Sequence, residues 1–259
     1  MASWESIHVD RVPAISVIVA AHNEEAHLGR CLDAVRAAGA GRAVEVIVVD
    51  NCSTDGTARV AEAHGARVVA EPRLGAVNAK AAGVVAAAAP LVAVIDADSV
   101  CPPDWLEKID ASFAADARLV GLSGPARYRG ARAWVHVVMA LWFGFWKLVQ
   151  RVAGTAYYAV GTNVAFRRDA YLRAGGYDTN VLVGGDEVGL FRRLRAVGLT
   201  RYTDSLWVET DPRRTEVGFV RFFFGTVMLH YVLNYPIYRL TGVCLIKRYR
   251  PGSTLASRQ

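Results

Sequence analysis

Four short apolar runs rich in valine and isoleucine recur along the first hundred residues. They cover residues 15–20, 44–49, 66–70 and 91–95. Their side chains are apolar continuously rather than at every second position, which is typical of strands covered on both faces in a parallel sheet. The pattern therefore predicts four buried strands.

Helical patterns fill the gaps between these runs, over residues 25–38, 53–64 and 75–89. Ser53 or Thr54 is placed to cap the second helix, and Pro90 follows the third. Strands that alternate with helices predict right-handed β-α-β crossovers. We therefore expect an α/β, Rossmann-like fold with a mostly parallel central sheet flanked by helices.

Polar residues follow three of the four predicted strands, at the point where each strand ends. They form the segments Ala21-His-Asn-Glu-Glu25, Asp50-Asn-Cys-Ser-Thr-Asp-Gly56 and Asp96-Ala97-Asp98. Ligands of parallel sheets bind outside the carboxyl ends of the strands. We therefore expect these three segments to converge on one binding site.

The Asp96-Ala97-Asp98 motif is the candidate metal site. Because one small residue separates the two acids, an extended segment projects both carboxylates to one side, roughly 6 to 7 Å apart at the backbone. Hard divalent cations such as Mg²⁺ or Mn²⁺ take carboxylate and phosphate oxygens as ligands. Such an ion would bridge the protein to a diphosphate and neutralise charge on a departing nucleotide. The alternative is that Asp98 only caps the turn before Pro102.

Other side chains in this half suit a nucleotide. Asp50 ends the second strand, where an acidic side chain can accept a hydrogen bond from a ribose hydroxyl or a base N–H. The chain lacks a G-x-G-x-x-G sequence after the first strand, which disfavours dinucleotide cofactors. Arg73 and Lys80 lie before and within the third helix, and either can reach a bound diphosphate. For Arg73, an exposed solvated charge is an equal alternative.

Segments 15–25, 46–57 and 96–98, in this order and spacing, resemble the family-2 glycosyltransferases, and the resemblance extends over residues 14 to about 218. It implies a GT-A fold, a nucleotide-sugar donor with UDP as the expected nucleotide, and inversion at the transferred sugar carbon. It also implies donor-binding positions, namely Ala21, Asn23, Glu24, Asp50, Asn51, Lys80, Asp96, Ala97, Asp98, Arg213 and Arg214. Among these, Asp96 and Asp98 would hold the metal ion.

Two departures from the family pattern affect this assignment. Ala21-His22 stands where relatives often have a proline before the Asn-Glu pair, and Lys80-Ala81 stands where they often have Arg-Asn. Lysine is a point charge without the fork of arginine, so the role of Lys80 differs from that of an arginine at the same place.

The second half of the chain carries an acid pair, Asp186 and Glu187, at the start of a predicted helix. Acids there also complement the helix dipole, so a capped helix is the simpler alternative. The resemblance places the pair at the family's "ED" motif, whose second acid is the general base, a role that contributes roughly 10² to 10⁴-fold. The order is inverted here; alignment selects Glu187, and Asp186 is the alternative. Acceptor-side positions are Gly161, Thr162, Asn163 and Gly185.

Three other functions share part of this pattern. Gly184-Gly-Asp-Glu-Val188 resembles the diguanylate cyclase signature, but a helical pattern follows it instead of a hairpin. A sugar nucleotidyltransferase would need a Gly-rich, basic loop after the first strand, and Ala20-Ala-His-Asn-Glu24 is neither. A non-catalytic, membrane-docked nucleotide-binding module is the third alternative.

The net charge of +6 comes from the C-terminal residues. Residues 213–259 hold eight Lys or Arg and one acid, Glu216, whereas the rest of the chain is close to neutral. This distribution disfavours a nucleic-acid-binding surface on the body of the protein. Arg213 and Arg214 resemble a basic motif that closes over the diphosphate in some family members; membrane-facing charge is the alternative.

Two apolar stretches, residues 133–152 and 222–238, have aromatic faces and basic flanks, which predicts helices lying in a membrane interface. In the first, Lys147 and Arg151 interrupt the apolar run before the ~18 to 20 residues that a span needs. Burial in the core is the alternative for the first stretch, and a span or hairpin for the second. The acceptor would then be a membrane-linked lipid or glycan.

The length of 259 residues fits one compact catalytic unit. We expect a GT-A domain over residues 1–212, divided into a nucleotide-sugar half (14–100) and an acceptor half (101–212), followed by a membrane-associating segment over 213–259. The first ten residues lack a basic segment leading into an apolar run, and the four cysteines form no CxxC pair. These features predict a peripheral protein on the cytosolic face of a membrane.

Overall fold

The structure is a computed structural model that describes residues 13–180 and 186–211. The strands in this part of the chain are β1 (Ile15–Ala21), β2 (Val44–Asp50), β3 (Arg67–Ala70), β4 (Leu91–Asp96), β5 (Ser99–Val100), β6 (Leu119–Ser123), β7 (Ala126–Tyr128), β8 (Asn163–Arg167), β9 (Leu199–Tyr202) and β10 (Val208–Thr210). The helices are α1 (Glu25–Ala38), α2 (Thr57–Ala63), α3 (Ala76–Ala86), α4 (Trp105–Ala115), α5 (Ala133–Ala153), α6 (Arg168–Arg173) and α7 (Glu187–Leu194).

A seven-stranded sheet in the order β3-β2-β1-β4-β8-β6-β9 forms the centre of the molecule. Strands β3, β2, β1 and β4 are parallel to one another, and β8 runs antiparallel to both of its neighbours. A second, three-stranded sheet has the order β5-β10-β7. The α/β class and the mostly parallel central sheet are confirmed.

The predicted strands form the core because both of their faces are covered. Val17, Ile18 and Val19 on β1 are completely buried, like most of β2 and β4. Helix α3 lies close to β1 at Gly83, where an added Cβ would come within 2.4 Å of the Ile18 side chain. A glycine there lets the helix approach the sheet.

Two predicted helices are shorter than their patterns suggested. Helix α2 begins at Thr57 with Gly56 at the N-cap position, so the prediction that Ser53 or Thr54 caps it is wrong. The Thr57 N–H donates to Asp55 Oδ1 at 3.0 Å, in the turn before the helix. Helix α3 ends at Ala86, because the next backbone N–H groups have partners elsewhere. Ala88 donates to Glu45 at 2.9 Å, and Ala89 donates to Ser16 at 3.0 Å.

Helix α5 is 21 residues long and mostly exposed. It continues through Lys147 and Arg151 instead of stopping there. Within the described residues it is the one helix long and apolar enough to cross a membrane, judged by length and composition alone. The alternative of a core helix is therefore wrong, because little of this helix is buried. Whether the helix lies in a membrane interface stays a prediction.

The exposed side of α5 is an apolar stripe. Its members repeat every three or four residues and are 41 to 82% exposed: Trp134, Val137, Leu141, Phe145, Leu148 and Val152. The helix contains Lys147 and Arg151 but no acid. An apolar face with basic residues beside it is typical of helices that lie in a membrane interface.

We name the carboxyl edge as residues 21–25, 50–56 and 96–98, which follow β1, β2 and β4. The acid pair, Asp186 and Glu187, lies at the start of α7, as the sequence predicted. Gly185, Arg213, Arg214, the stretch 222–238 and the whole segment 213–259 lie outside the described residues.

Candidate active site

The carboxyl edge brings the predicted nucleotide-binding segments together. In the parallel register, Ala21 lies beside Asp50 of β2, and Ala20 lies beside Asp96 of β4. The three strands therefore end at one level of the sheet. This is the position at which parallel α/β sheets bind ligands.

Asn23 joins the loop after β1 to the loop after β2. Its N–H donates to Ser53 Oγ at 3.0 Å, and its side-chain oxygen accepts from the Thr54 N–H at 2.7 Å. Its φ of 55° is in the left-handed region, which asparagine tolerates because its short polar side chain bonds locally. The Asn23 amide therefore holds the two loops together.

Asn51 fixes the segment that leads into α3. Its Nδ2 donates to the carbonyls of Glu71 and Arg73, both at 2.8 Å, and its Oδ1 accepts from the Gly75 N–H at 2.7 Å. The residue is buried. These contacts favour a structural role over contact with a nucleotide. Arg73 in turn donates to the Glu71 carboxylate at 2.9 Å, so its guanidinium is paired within its own loop.

Asp50 and Glu24 place half-buried carboxylates at the junction of β1 and β2. Asp50 Oδ1 accepts from the Ser53 N–H at 3.1 Å. The Glu24 carboxylate lies 3.2 Å from His27 Nδ1, and the Glu24 N–H donates to Thr57 at 2.8 Å. Both acids therefore lie on the carboxyl edge, and their contacts with a ribose and a base stay a prediction.

The Asp96-Ala97-Asp98 motif is not extended. Strand β4 ends at Asp96, Ala97 and Asp98 form a turn, and Ser99 begins β5. Asp98 Oδ1 accepts from Ser99 Oγ and from Thr210 Oγ1, each at 3.3 Å. The prediction of one straight segment is wrong, because the chain bends here to leave the central sheet and enter the three-stranded one.

The two acids of this motif fit a cation that a substrate helps to hold. Among the described residues, no group of three His, Cys, Asp or Glu side chains is arranged to hold a metal ion. Mg²⁺ is commonly bound through one or two carboxylates, with water and phosphate oxygens completing its shell. Asp96 and Asp98 supply hard oxygens of this kind, so they would hold Mg²⁺ or Mn²⁺ together with a diphosphate.

Lys80 of α3 connects the carboxyl edge to the acid pair. Its Nζ lies 2.7 Å from Glu187 Oε1, 2.7 Å from the Gly161 carbonyl and 3.4 Å from Asp96 Oδ1. Lys80 is 3% exposed and Glu187 is 1% exposed. Burial acts to lower the pKa of Lys80, but the Asp96 and Glu187 carboxylates outweigh it, so the pKa is raised and the ammonium is charged.

The two members of the acid pair have different partners. Asp186 Oδ2 accepts from the Asp178 N–H at 2.7 Å and forms an ion pair with Arg193. Burial raises the pKa of Asp186, because Arg193 and the Asp178 amide only partly offset the loss of solvation. Asp186 thus bonds to residues close to it in the sequence, Asp178 and Arg193, whereas Glu187 bonds to the distant Lys80. Glu187 is therefore the member of the pair that shares a cation with Asp96 of the carboxyl edge.

The predicted acceptor-side residues Gly161, Thr162 and Asn163 have different surroundings. Gly161 lies against Glu187: a Cβ added there would be 2.9 Å from the carboxylate carbon. Thr162 Oγ1 lies 2.8 Å from Ser99 Oγ, beside the turn after β4. Asn163 is fully buried, and its amide bonds Trp105 at 3.0 Å and the Leu206 carbonyl at 2.7 Å. This placement favours a structural role for Asn163.

Some contacts at the site were not predicted from the sequence. Arg193 lies seven residues after Asp186, which is two helical turns, so the spacing contained a signal for that ion pair. The sequence contains no local signal for the pairing of Lys80 with Glu187, since the two residues are 107 positions apart. The hydrogen bond from Cys31 to the Asp96 carbonyl, at 3.6 Å, was also unforeseen.

The sequence profile of glycosyl transferase family 2 matches residues 16–174, which is more than half of the chain. The chain belongs to this family. The match spans the carboxyl edge, Lys80 and the acceptor-side positions at 161–163, and ends before the acid pair.

Curated relatives of this family-2 chain match part of its length. An uncharacterised glycosyltransferase of Mycobacterium tuberculosis (strain ATCC 25618 / H37Rv) is 46% identical over 107 residues, which is 41% of this chain and 47% of the relative. The succinoglycan biosynthesis protein ExoO of Rhizobium meliloti (strain 1021) is 33% identical over 116 residues, or 43% of this chain and 33% of the relative. The chain thus matches less than half of the length of either relative.

Solved structures share the GT-A fold of this family-2 chain. A mannosyltransferase from Pyrobaculum calidifontis, in complex with GDP-Man and Mn²⁺, superposes with a TM-score of 0.63 at 25% identity, covering 77% of this chain and 57% of its own. Glucosyl-3-phosphoglycerate synthase from Mycobacterium tuberculosis gives a TM-score of 0.55 at 22% identity, covering 80% of this chain and 70% of its own. The second likeness concerns the fold alone.

Proposed function

We propose that this protein transfers a sugar from a nucleoside-diphosphate sugar to an acceptor hydroxyl, with inversion at the sugar carbon. The observation that carries the proposal is the contact of Lys80 with both Asp96 and Glu187. A nucleotide-side acid and the candidate base therefore lie at one site. Family membership supports the same reaction class.

The proposed donor lies over the carboxyl edge. Its base and ribose lie near Ala21, Glu24 and Asp50, and its diphosphate lies toward Asp96 and Asp98. The mannosyltransferase that resembles this chain binds GDP-Man with Mn²⁺, and glucosyl-3-phosphoglycerate synthase binds UDP with Mn²⁺. These neighbours support a nucleoside diphosphate with a divalent ion, and UDP remains our first candidate.

Asp98 and Asp96 are the residues that would hold Mg²⁺ or Mn²⁺. A cation bound there supplies charge neutralisation on the leaving diphosphate. Arg213 and Arg214 are proposed from the sequence to add positive charge at the same group. Preorganised positive charge of this kind stabilises a transition state more than it stabilises the ground state.

Glu187 is the proposed general base. The acceptor oxygen forms a bond to the sugar carbon while the bond from that carbon to the phosphate oxygen breaks, and the hydroxyl proton passes to the Glu187 carboxylate. Asp186 is less suited to this role because its partners within the described part of the chain, Arg193 and the Asp178 N–H, do not contact the carboxyl edge, whereas Lys80 contacts both Glu187 and Asp96. If the acceptor is a polyprenyl phosphate, its oxygen is already ionised and no base is required.

The proposed acceptor is a lipid or glycan linked to a membrane, reached from its cytosolic face. The apolar stripe of α5 supports attachment at a membrane surface, because six large apolar side chains on one face are exposed to solvent. The basic segment 213–259 supports the same attachment through its charge.

A thermal-shift screen of nucleoside diphosphates tests the donor site. UDP, GDP, ADP and CDP are compared at equal concentration, each with Mn²⁺ and with a chelator. A ligand at one hundred times its Kd stabilises the folded state by about 2.7 kcal/mol, which raises the melting temperature by several degrees. We expect one nucleotide to do so only with Mn²⁺. No metal-dependent shift with any nucleotide would reject the proposal.

Turnover separates this proposal from the two alternatives. A glycosyltransferase releases a nucleoside diphosphate from the sugar nucleotide. A sugar nucleotidyltransferase instead releases pyrophosphate from a nucleoside triphosphate and a sugar phosphate. A non-catalytic binding module gives the thermal shift and neither product.

A further inference from the structure

The ammonium group of Lys80 is occupied by contacts within the protein, which is not expected of a residue whose main role is to bind a diphosphate. An ammonium group has three N–H donors, and the buried Nζ of Lys80 has three acceptors within 3.4 Å: Glu187, the Gly161 carbonyl and Asp96. The two shortest contacts lie on the side of the acid pair. A phosphate oxygen could bind Lys80 only by displacing one of these partners.

The Glu187 carboxylate is enclosed between Lys80 and Gly161. A Cβ built at position 161 would lie 2.9 Å from the carboxylate carbon and 3.0 Å from each oxygen, so only glycine leaves room for it. Lys80 donates to Oε1 from the other direction at 2.7 Å. A charge-assisted hydrogen bond opposite a close backbone contact limits the rotation of this side chain.

We propose that Lys80 is a positioning residue for Glu187, which it holds at a fixed place relative to Asp96, and is not primarily a ligand of the diphosphate. The inference rests on the proposed function, because it assigns the partner of the proposed base. Without Lys80, two carboxylates of this region lose the cation they share, and Glu187 loses the contact that orients it. Misplacing a reacting group by about 1 Å can cost roughly 10²-fold in rate.

The two roles of Lys80 predict different effects of substitution. A diphosphate ligand contributes to binding of the nucleotide, so its loss raises the Kd for nucleoside diphosphate. A positioning residue acts on the chemical step, so its loss lowers kcat while the nucleotide still binds. Kd for UDP with Mn²⁺, measured by calorimetry, and kcat for nucleoside diphosphate release are therefore measured on the same preparations of the full chain. If UDP gives no shift in the thermal screen, the nucleotide that does replaces it.

Lys80→Met is the first variant, and Lys108→Met is its matched control, because Lys108 lies on α4 and forms a surface ion pair with Asp104 at 2.8 Å. We expect kcat to fall about 10²-fold in K80M with Kd changed less than about 3-fold, and both values to be unchanged in K108M. A Kd raised tenfold or more, with kcat retained, would overturn the inference.

Lys80→Arg decides the question if K80M does not fold. Arginine keeps the charge and binds phosphate at least as well through its fork. Its larger planar group does not fit the three contacts that Lys80 makes. We therefore expect a reduced kcat with unimpaired nucleotide binding, whereas a diphosphate-ligand role predicts that K80R keeps both.

The double variant K80M/E187Q tests the coupling. If Lys80 acts through Glu187, the double variant is about as slow as E187Q alone, since groups that act as one unit are not additive. Independent, multiplying losses would contradict the inference. A wild-type chain that neither binds a nucleotide nor releases one would instead remove the proposed function itself, so the two failures are distinguishable.

Discussion

The carboxyl edge and the acid pair are built in different ways. At the carboxyl edge, polar side chains bond to loops that follow neighbouring strands, as Asn23 bonds to Thr54 and Asn51 to Gly75. In the acid pair, Glu187 is held by a lysine 107 residues earlier in the chain, and Asp186 by Arg193 on its own helix. The carboxyl edge is thus stabilised by contacts between its own loops, whereas the proposed base Glu187 is held by residues far away in the sequence, Lys80 and Gly161.

The acid pair gives the largest expected difference between variants. We expect Glu187→Gln to lower kcat by about 10² to 10⁴-fold while the protein remains folded, because an amide does not accept the proton. Asp186→Asn should reduce the stability of the fold by about 1 to 3 kcal/mol, because the buried Asp186 side chain loses its charge-assisted contact with the half-buried Arg193. Steady-state kinetics and urea denaturation on both variants measure the contrast. Equal kinetic losses in the two would remove the distinction between the acids.

Gly161→Ala tests the close contact with Glu187. We expect a loss of about 1 to 3 kcal/mol in the free energy of unfolding, since the new methyl group meets the carboxylate at 2.9 Å. The loss of stability caused by G161A should be smaller when it is measured in an E187A background, because the carboxylate that the methyl group meets is then absent. Gly130→Ala is unsuitable as a control because of its positive φ, so Gly144→Ala on α5 is preferred. An unrelieved loss in the double variant would contradict the contact.

Asn51→Ala tests the carboxyl edge without touching the acid pair. Three hydrogen bonds are removed and two carbonyls lose a donor, so we expect about 1 to 3 kcal/mol less stability. Because the loop also shapes the nucleotide site, the Kd for nucleoside diphosphate should rise while kcat at saturating donor stays within a few-fold of wild type. A large fall in kcat with an unchanged Kd would place Asn51 in the chemical step instead.

The apolar stripe gives the smallest expected change in stability. Leu141→Ser and Leu148→Ser lie at exposed positions, so each should alter the free energy of unfolding by less than about 0.5 kcal/mol. We expect the double variant to lose flotation with anionic vesicles. The matched control is Leu172→Ser, an equally exposed leucine on α6. Flotation that persists in the double variant would exclude the stripe as the membrane contact.

The contrast between the two regions also explains what the sequence could predict. The strands, the parallel sheet and the convergence of three loops follow from local patterns, because the register of β1 with β2 and β4 brings their ends together. The turn at Ala97 and Asp98 was not predicted, since it depends on Thr210 in a strand 112 residues after Asp98. The role of Lys80 was not predictable either, because no local pattern pairs it with Glu187.

Family membership was predicted from motif order and is confirmed. Matching a family motif is a weaker guide to the role of a single residue, as Asn51 and Asn163 show. Both residues stand at positions expected to contact substrates, yet their side-chain amides bond the protein's own backbone. A polar residue next to a site often holds a loop, and only the bonds around it distinguish support from contact. Arg213 and Arg214 await the same test.

The most direct test of the proposed transfer reaction is release of nucleoside diphosphate from the sugar nucleotide selected by the thermal screen, with a membrane-lipid extract as acceptor. The wild-type chain, E187Q and D98N are compared with Mn²⁺ and with a chelator. We predict metal-dependent release by the wild type, nucleotide binding with release slowed about 10² to 10⁴-fold in E187Q, and loss of metal-dependent binding in D98N. Release that is equal in all three proteins, or independent of the metal ion, would contradict the account.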